Sequence, residues 1–161
     1  MAQSLIGMNV VGHLVNGAGK KMRVPSDGGN RKAEWLCAVS NLFNNCTSYP
    51  GGAAEIIKQA GVQSDTAEIS FGMVALSDAE SEVTQWNAMA TVSRLIKCSS
   101  EFGNFLHAQG LQSVLSKRGH NASSKLVETY AEELKLLLSD QDDPDVREKL
   151  RVFAYRNTER A

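Results

Sequence analysis

An all-α fold follows from three features of this sequence. Apolar residues recur at steps of three and four along most of the chain, no stretch of strand length alternates apolar with polar, and only 3 prolines interrupt it. Helix-opening signals stand directly before several of the periodic stretches. The segments are short and number about eight, too many for a four-helix bundle. They suit a right-handed superhelix or small α-solenoid, in which each helix hairpin packs on its neighbours, although no regular repeat period is visible.

Residues 4–15 are apolar enough for a first short helix, followed by a Gly- and Lys-containing loop over 16–30. Asn30 is placed to cap a helix over 31–44, in which Trp35, Val39, Leu42 and Phe43 recur at helical spacing. The run Cys46-Thr-Ser-Tyr-Pro-Gly-Gly reads as a turn. Pro50 then suits the start of a helix through Ile56 and Ile57, and Gly61 its end. Asp65 with Glu68 has capping-box spacing ahead of Ile69, Met73, Val74 and Leu76. Ser77-Asp-Ala-Glu80 repeats the signal before the longest helix, about 82–98, where Val83, Trp86, Met89, Val92 and Ile96 predict one continuous buried stripe. Shorter helices are predicted around 102–107 and 111–116, then a loop over 117–124. Leu126, Tyr130, Leu134 and Leu138 form an i, i+4 stripe widened by Val127, Ala131 and Leu137. Asp143 as cap and Pro144 at the first helical position open a last helix through Val146, Leu150 and Phe153.

A length of 161 residues is one ordinary domain, able to bury a core without staples. Lys+Arg total 17 against 18 Asp+Glu, which excludes a generally basic nucleic-acid binder and an acidic solvating tail. The hydrophobic share of 42% and charged share of 22% belong to a globular chain and not a disordered one. Cys37, Cys46 and Cys98 are odd in number and lack C-x-x-C spacing, so reduced thiols are expected. The N-terminus lacks the basic start of a secretory signal, and no apolar run approaches the roughly 20 residues of a membrane span. A cytoplasmic location is therefore expected, and the sequons at Asn45 and Asn121 are chance matches. The ending at Asn157-Thr-Glu-Arg-Ala161, directly after a helix, fits a single domain, 1–161, cut from a longer protein.

Tests for chemistry come out bland. Gly19-Lys20 suggests a P-loop, but Leu14 stands where the first Gly belongs and Lys21 where the hydroxyl belongs, so that reading fails. His13, His107 and His120 lie far apart and none has a ligand partner at i+4, so no metal site is expected. His107, beside Phe105 and Leu106, reads as a partly buried, hydrogen-bonded histidine. No G-x-S-x-G elbow marks a nucleophile. Glu132-Glu133 reads as a solvated helix face and Asp142-Asp143 as a cap, so neither an enzyme nor a cofactor is expected. The basic loop with Lys20, Lys21 and Arg23, continued by Arg31 and Lys32, is either a solvated segment or a site for an anionic lipid headgroup. No aromatics are interleaved with it, which argues against nucleic acid. Trp35, with Val39 one turn on, is either core or a half-exposed binding anchor. Trp86, inside the long stripe, is read as core.

The order Ala33-Glu-Trp35-Leu-Cys-Ala-Val39, a Tyr-Pro-Gly-Gly turn and Ala53-Ala-Glu-Ile-Ile-Lys58 resembles the second and third helices of VHS domains. The helix Trp86-Asn-Ala-Met-Ala-Thr-Val-Ser-Arg-Leu-Ile-Lys-Cys98, followed by Phe102, Phe105 and His107, is similar to the central helix of the ENTH/ANTH/VHS superfamily, as is the ending Asp143-Pro-Asp-Val-Arg-Glu-Lys-Leu150. Arg94-Leu-Ile-Lys97 with Phe105-Leu106, then Val127-Glu-Thr-Tyr-Ala-Glu-Glu-Leu134, looks like the ANTH pattern. The resemblance implies a non-enzymatic adaptor module in clathrin-linked or endosomal membrane traffic. It implies ubiquitin or a sorting-signal peptide as partner and Trp35 and Val39 as the ubiquitin-contacting pair, while peripheral association with an anionic membrane surface is what the basic loop with Lys20, Lys21 and Arg23 would provide. The competing expectation is an armadillo/HEAT-like scaffold in a cytoskeletal or nuclear complex, with a superhelix that binds the phosphorylated tail of RNA polymerase as a third.

Overall fold

The computed structural model describes residues 29–60, 82–120 and 124–159, and among them every regular element is an α-helix. In chain order these are α1 (Gly29–Ser48), α2 (Gly52–Ala60), α3 (Glu82–Cys98), α4 (Ser100–Ala108), α5 (Leu111–His120), α6 (Lys125–Leu137) and α7 (Pro144–Glu159). The helices expected over 4–15 and after Asp65, and the Gly61 stop, lie outside the described residues. Helix α3 packs against α1, α2, α4 and α6, with α1 and α6 its broadest neighbours. Helix α6 in turn packs against α5 and α7.

Boundaries show where local signals hold and where packing overrides them. Ser99 ends α3 and caps α4, its hydroxyl accepting from the Phe102 amide at 3.2 Å. Ser124 does the same for α6, accepting from the Val127 amide at 3.3 Å. The Asp143 carboxylate accepts from the Asp145 amide at 2.8 Å, so the predicted cap before Pro144 is present. Two corrections lengthen helices. Helix α1 is already helical at Gly29, ahead of the expected Asn30 cap, and runs on through Cys46-Thr-Ser48, where the sequence predicts a turn. Phe43 and Cys46 are buried there, and the Thr47 and Ser48 hydroxyls donate back to the Phe43 and Asn45 carbonyls at 2.8 and 2.9 Å. Core burial thus extends the helix past its weak formers. The turn shrinks to 49–51, with Gly51 at φ +78°. Likewise α5 continues to His120 through most of the expected loop.

The core joins α1 and α2 to α3–α6: Phe43, Ile56, Met89, Val92, Leu95, Phe102, Leu106, Leu111, Leu115 and Leu134 form one cluster. Here the single stripe expected for α3 is corrected. Val83 is 60% exposed and Trp86 only partly buried, whereas every residue from Asn87 to Ser93 is buried. A helix wrapped by neighbours is buried all round and not along one face. Ala88, Ala90 and Ser93 supply the small side chains that let those neighbours approach.

Candidate functional site

On α3 the partly open Trp86 and Arg94 and the exposed Lys97 flank the buried Ala90 and Ser93. Trp86, Ala90, Ser93, Arg94 and Lys97 stand at steps of three, four and one, which places them on one face. Leu126, Thr129, Tyr130 and Glu133 of α6 share a face by the same spacing, and Phe153 comes from α7. Together they line a groove of about 400 Å³. That volume lies within the range of about 300–1,000 Å³ common for ligand pockets.

Its apolar wall is aromatic. The Trp86 and Tyr130 rings meet edge to face, with centroids 6.1 Å apart and planes at 78°. Trp86 Nε1 is buried and makes no hydrogen bond among the described residues. An unpaired buried donor costs about 1–3 kcal/mol, so this wall carries polarity that the fold itself does not satisfy.

The charged wall has three members. Lys97 Nζ donates to Glu133 Oε1 across α3 and α6, and the lysine side chain is 49% exposed while the glutamate is 5% exposed. The sequence reading of Glu132-Glu133 as one solvated face is therefore corrected: Glu132 is exposed and pairs with Lys135, but Glu133 faces inward. One helical residue separates the outward and inward directions by about 100°.

Arg94 spans the helix. Its Nη1 donates to Asn44 Oδ1 at 2.5 Å, to the Asn44 carbonyl at 3.2 Å and to Thr47 Oγ1 at 3.2 Å, all on α1. Asn44 is held in turn by its Nδ2, which donates to Asn87 Oδ1 at 2.8 Å inside the core. Burial pulls the Arg94 pKa down, while Tyr130 and Glu133 act in the opposite direction.

Of the residues singled out from sequence, Trp35 and Val39 both lie on α1, one turn apart, with side chains outside the described set. Lys20, Lys21 and Arg23 lie outside the described residues. Trp86, read as core, instead forms part of the groove wall. His107 is exposed, which corrects its reading as partly buried. Arg94, Tyr130 and Glu133 escaped notice as site residues. The available signal was the column Trp86, Ala90, Ser93, Arg94, Lys97, in which polarity rises along one helical face. Among the described residues no group of three or more His, Cys, Asp or Glu side chains is placed to hold a metal ion, and no helix is long and apolar enough to cross a membrane. No family model, curated protein or solved structure matches this chain.

Proposed function

We propose that this chain is a non-enzymatic binding module, an adaptor that takes a short segment of a partner protein into the α3/α6/α7 groove. The observation that carries the reading is the groove's lining. Three aromatic rings and Leu126, itself 38% exposed, stand beside a cation, a combination enriched at binding hot spots. Successive helices that pack in order, α3 on α4, α4 on α5, α5 on α6 and α6 on α7, support a superhelical arrangement for the scaffold. If the likeness to VHS and ENTH domains is one of kinship, the segment is a sorting signal and the setting is membrane traffic.

The test is selection of peptides from a random library, followed by ¹⁵N-resolved mapping of a selected peptide on the protein. Shifts grouped on Trp86, Ala90, Leu126 and Tyr130, and abolished by Leu126→Asp, are expected. Shifts confined to other helices would remove the groove from its proposed role.

A second docking face is favoured by the unbroken helical course of α1, which sets positions 35 and 39 one turn apart. We propose that Trp35 and Val39 contact ubiquitin there, with an affinity in the micromolar to millimolar range, as a single small patch provides. Titration with unlabelled ubiquitin should shift α1 resonances saturably, and Trp35→Ala should abolish the response. An unresponsive α1 at high ubiquitin concentration sinks this face without touching the groove.

A further inference from the structure

Arg94 is a partly buried cation with no anion in contact among the described residues. Among the described residues every hydrogen bond of its guanidinium is made by Nη1, and every acceptor is neutral: two oxygens of Asn44 and the Thr47 hydroxyl. Nε and Nη2 make no hydrogen bond among those residues, yet this pair forms one edge of the planar fork that matches a carboxylate. Glu133 shares the groove but is engaged by Lys97, and it makes no ion pair with Arg94. Among the described residues the lining therefore holds two cations and one carboxylate, a surplus of one positive charge. Buried charges are ordinarily paired, and the lowering of the Arg94 pKa by burial is the mark of a cation taken from water. In the same groove the Trp86 indole N–H is a second donor without an acceptor among the described residues.

We infer that the groove is a site for a carboxylate carried on an aromatic or large aliphatic body, with Arg94 taking the anion and Trp86, Leu126, Tyr130 and Phe153 taking the body. This rests on the groove being a docking site. Charge selects the class of ligand. A single negative charge cancels the surplus, whereas a phosphate dianion would overshoot it and face the buried Glu133 carboxylate. The occupant is the carboxyl terminus of a partner chain ending in a large apolar residue, which brings the carboxylate and the apolar body into the groove as one segment.

The experiment follows the Trp86 indole signal, assigned through Trp86→Phe, in ¹⁵N-resolved spectra. The probes are 3-phenylpropionate and its amide, then an N-acetylated hexapeptide ending in phenylalanine, as free acid and as amide. The acids should bind saturably and the matching amides at least about tenfold more weakly, the factor lost with one charge-assisted contact. Arg94→Gln should bring the acids down to the level of the amides. Because Arg94 also anchors Asn44 and Thr47, the comparison of acid with amide on the unaltered protein decides the matter if that variant fails to fold. The peptide acid binding more tightly than the small acid supports the chain terminus, and the reverse overturns it in favour of a free aromatic acid. Equal binding of acid and amide overturns the carboxylate inference and leaves the docking groove standing. Silence toward every probe, together with failure of selected peptides to reach the groove, removes both.

Discussion

The two broad faces of α3 solve opposite problems with neighbouring residues. Toward α1, Asn87 is 2% exposed and bonds Asn44, which also receives Arg94, so the buried polar groups are mutually satisfied. Toward α6 and α7, the adjacent Trp86 is partly open and its buried N–H is unsatisfied. A closed network specifies how two helices meet. An open wall with unsatisfied donors leaves energy to be gained by something that docks there. The same helix is thus structural on one side and available on the other, with Arg94 reaching both.

The sharpest way to test this contrast is to break the closed side. Asn87→Ala leaves Asn44 Nδ2 buried without its acceptor and should cost about 2–3 kcal/mol in urea unfolding. A loss below about 0.5 kcal/mol would show that the network is not a structural element. Next in size is the rim of the groove. Lys97→Met strands the inward Glu133 carboxylate, and because Lys97 is half exposed the cost should be about 1 kcal/mol. Adding Glu133→Gln should restore most of it in a double-mutant cycle, and strict additivity would refute the pairing.

Trp86→Phe tests the open side. It removes an unsatisfied N–H along with some apolar surface, so the two effects oppose and stability should stay within about 1 kcal/mol of the unaltered protein. A loss approaching that of Asn87→Ala would mean that the indole N–H has a partner and that the two faces do not differ. The smallest effect lies on α7, away from both. Arg151 donates two hydrogen bonds to Glu148, which hold its carboxyl below the usual range. A depressed carboxyl pKa adds stability above the unfolded value and loses it as pH falls through the folded one. Both side chains are exposed, so Arg151→Gln should raise the Glu148 pKa in a ¹³C titration while leaving the unfolding midpoint unchanged at neutral pH.

Much of the fold was legible because its signals are local. The span Glu82–Cys98, the caps at Asp143 and Pro144, and the core positions Leu134 and Leu138 depend on spacing and on a few backbone hydrogen bonds. The end of α1 was not legible, since Cys46 and Thr47 remain helical because they are buried against other helices. The groove was less legible still. Trp86 reads as core from periodicity alone, for periodicity reports which residues leave water and not whether a neighbouring helix closes over them. Glu133 looks like its neighbour Glu132, and only the position of Lys97, 36 residues earlier, separates their roles.

What the sequence determined by itself is therefore the helical character of the described chain and most helix limits, because hydrophobic spacing and capping act over one or two turns. The tertiary structure decided which face of α3 is sealed and which is open. It also decided that Arg94 joins the two and that Glu133 turns inward. These are relations between residues distant in the chain, fixed by how α1 and α6 pack on α3 and α7 on α6, and no short-range pattern encodes them.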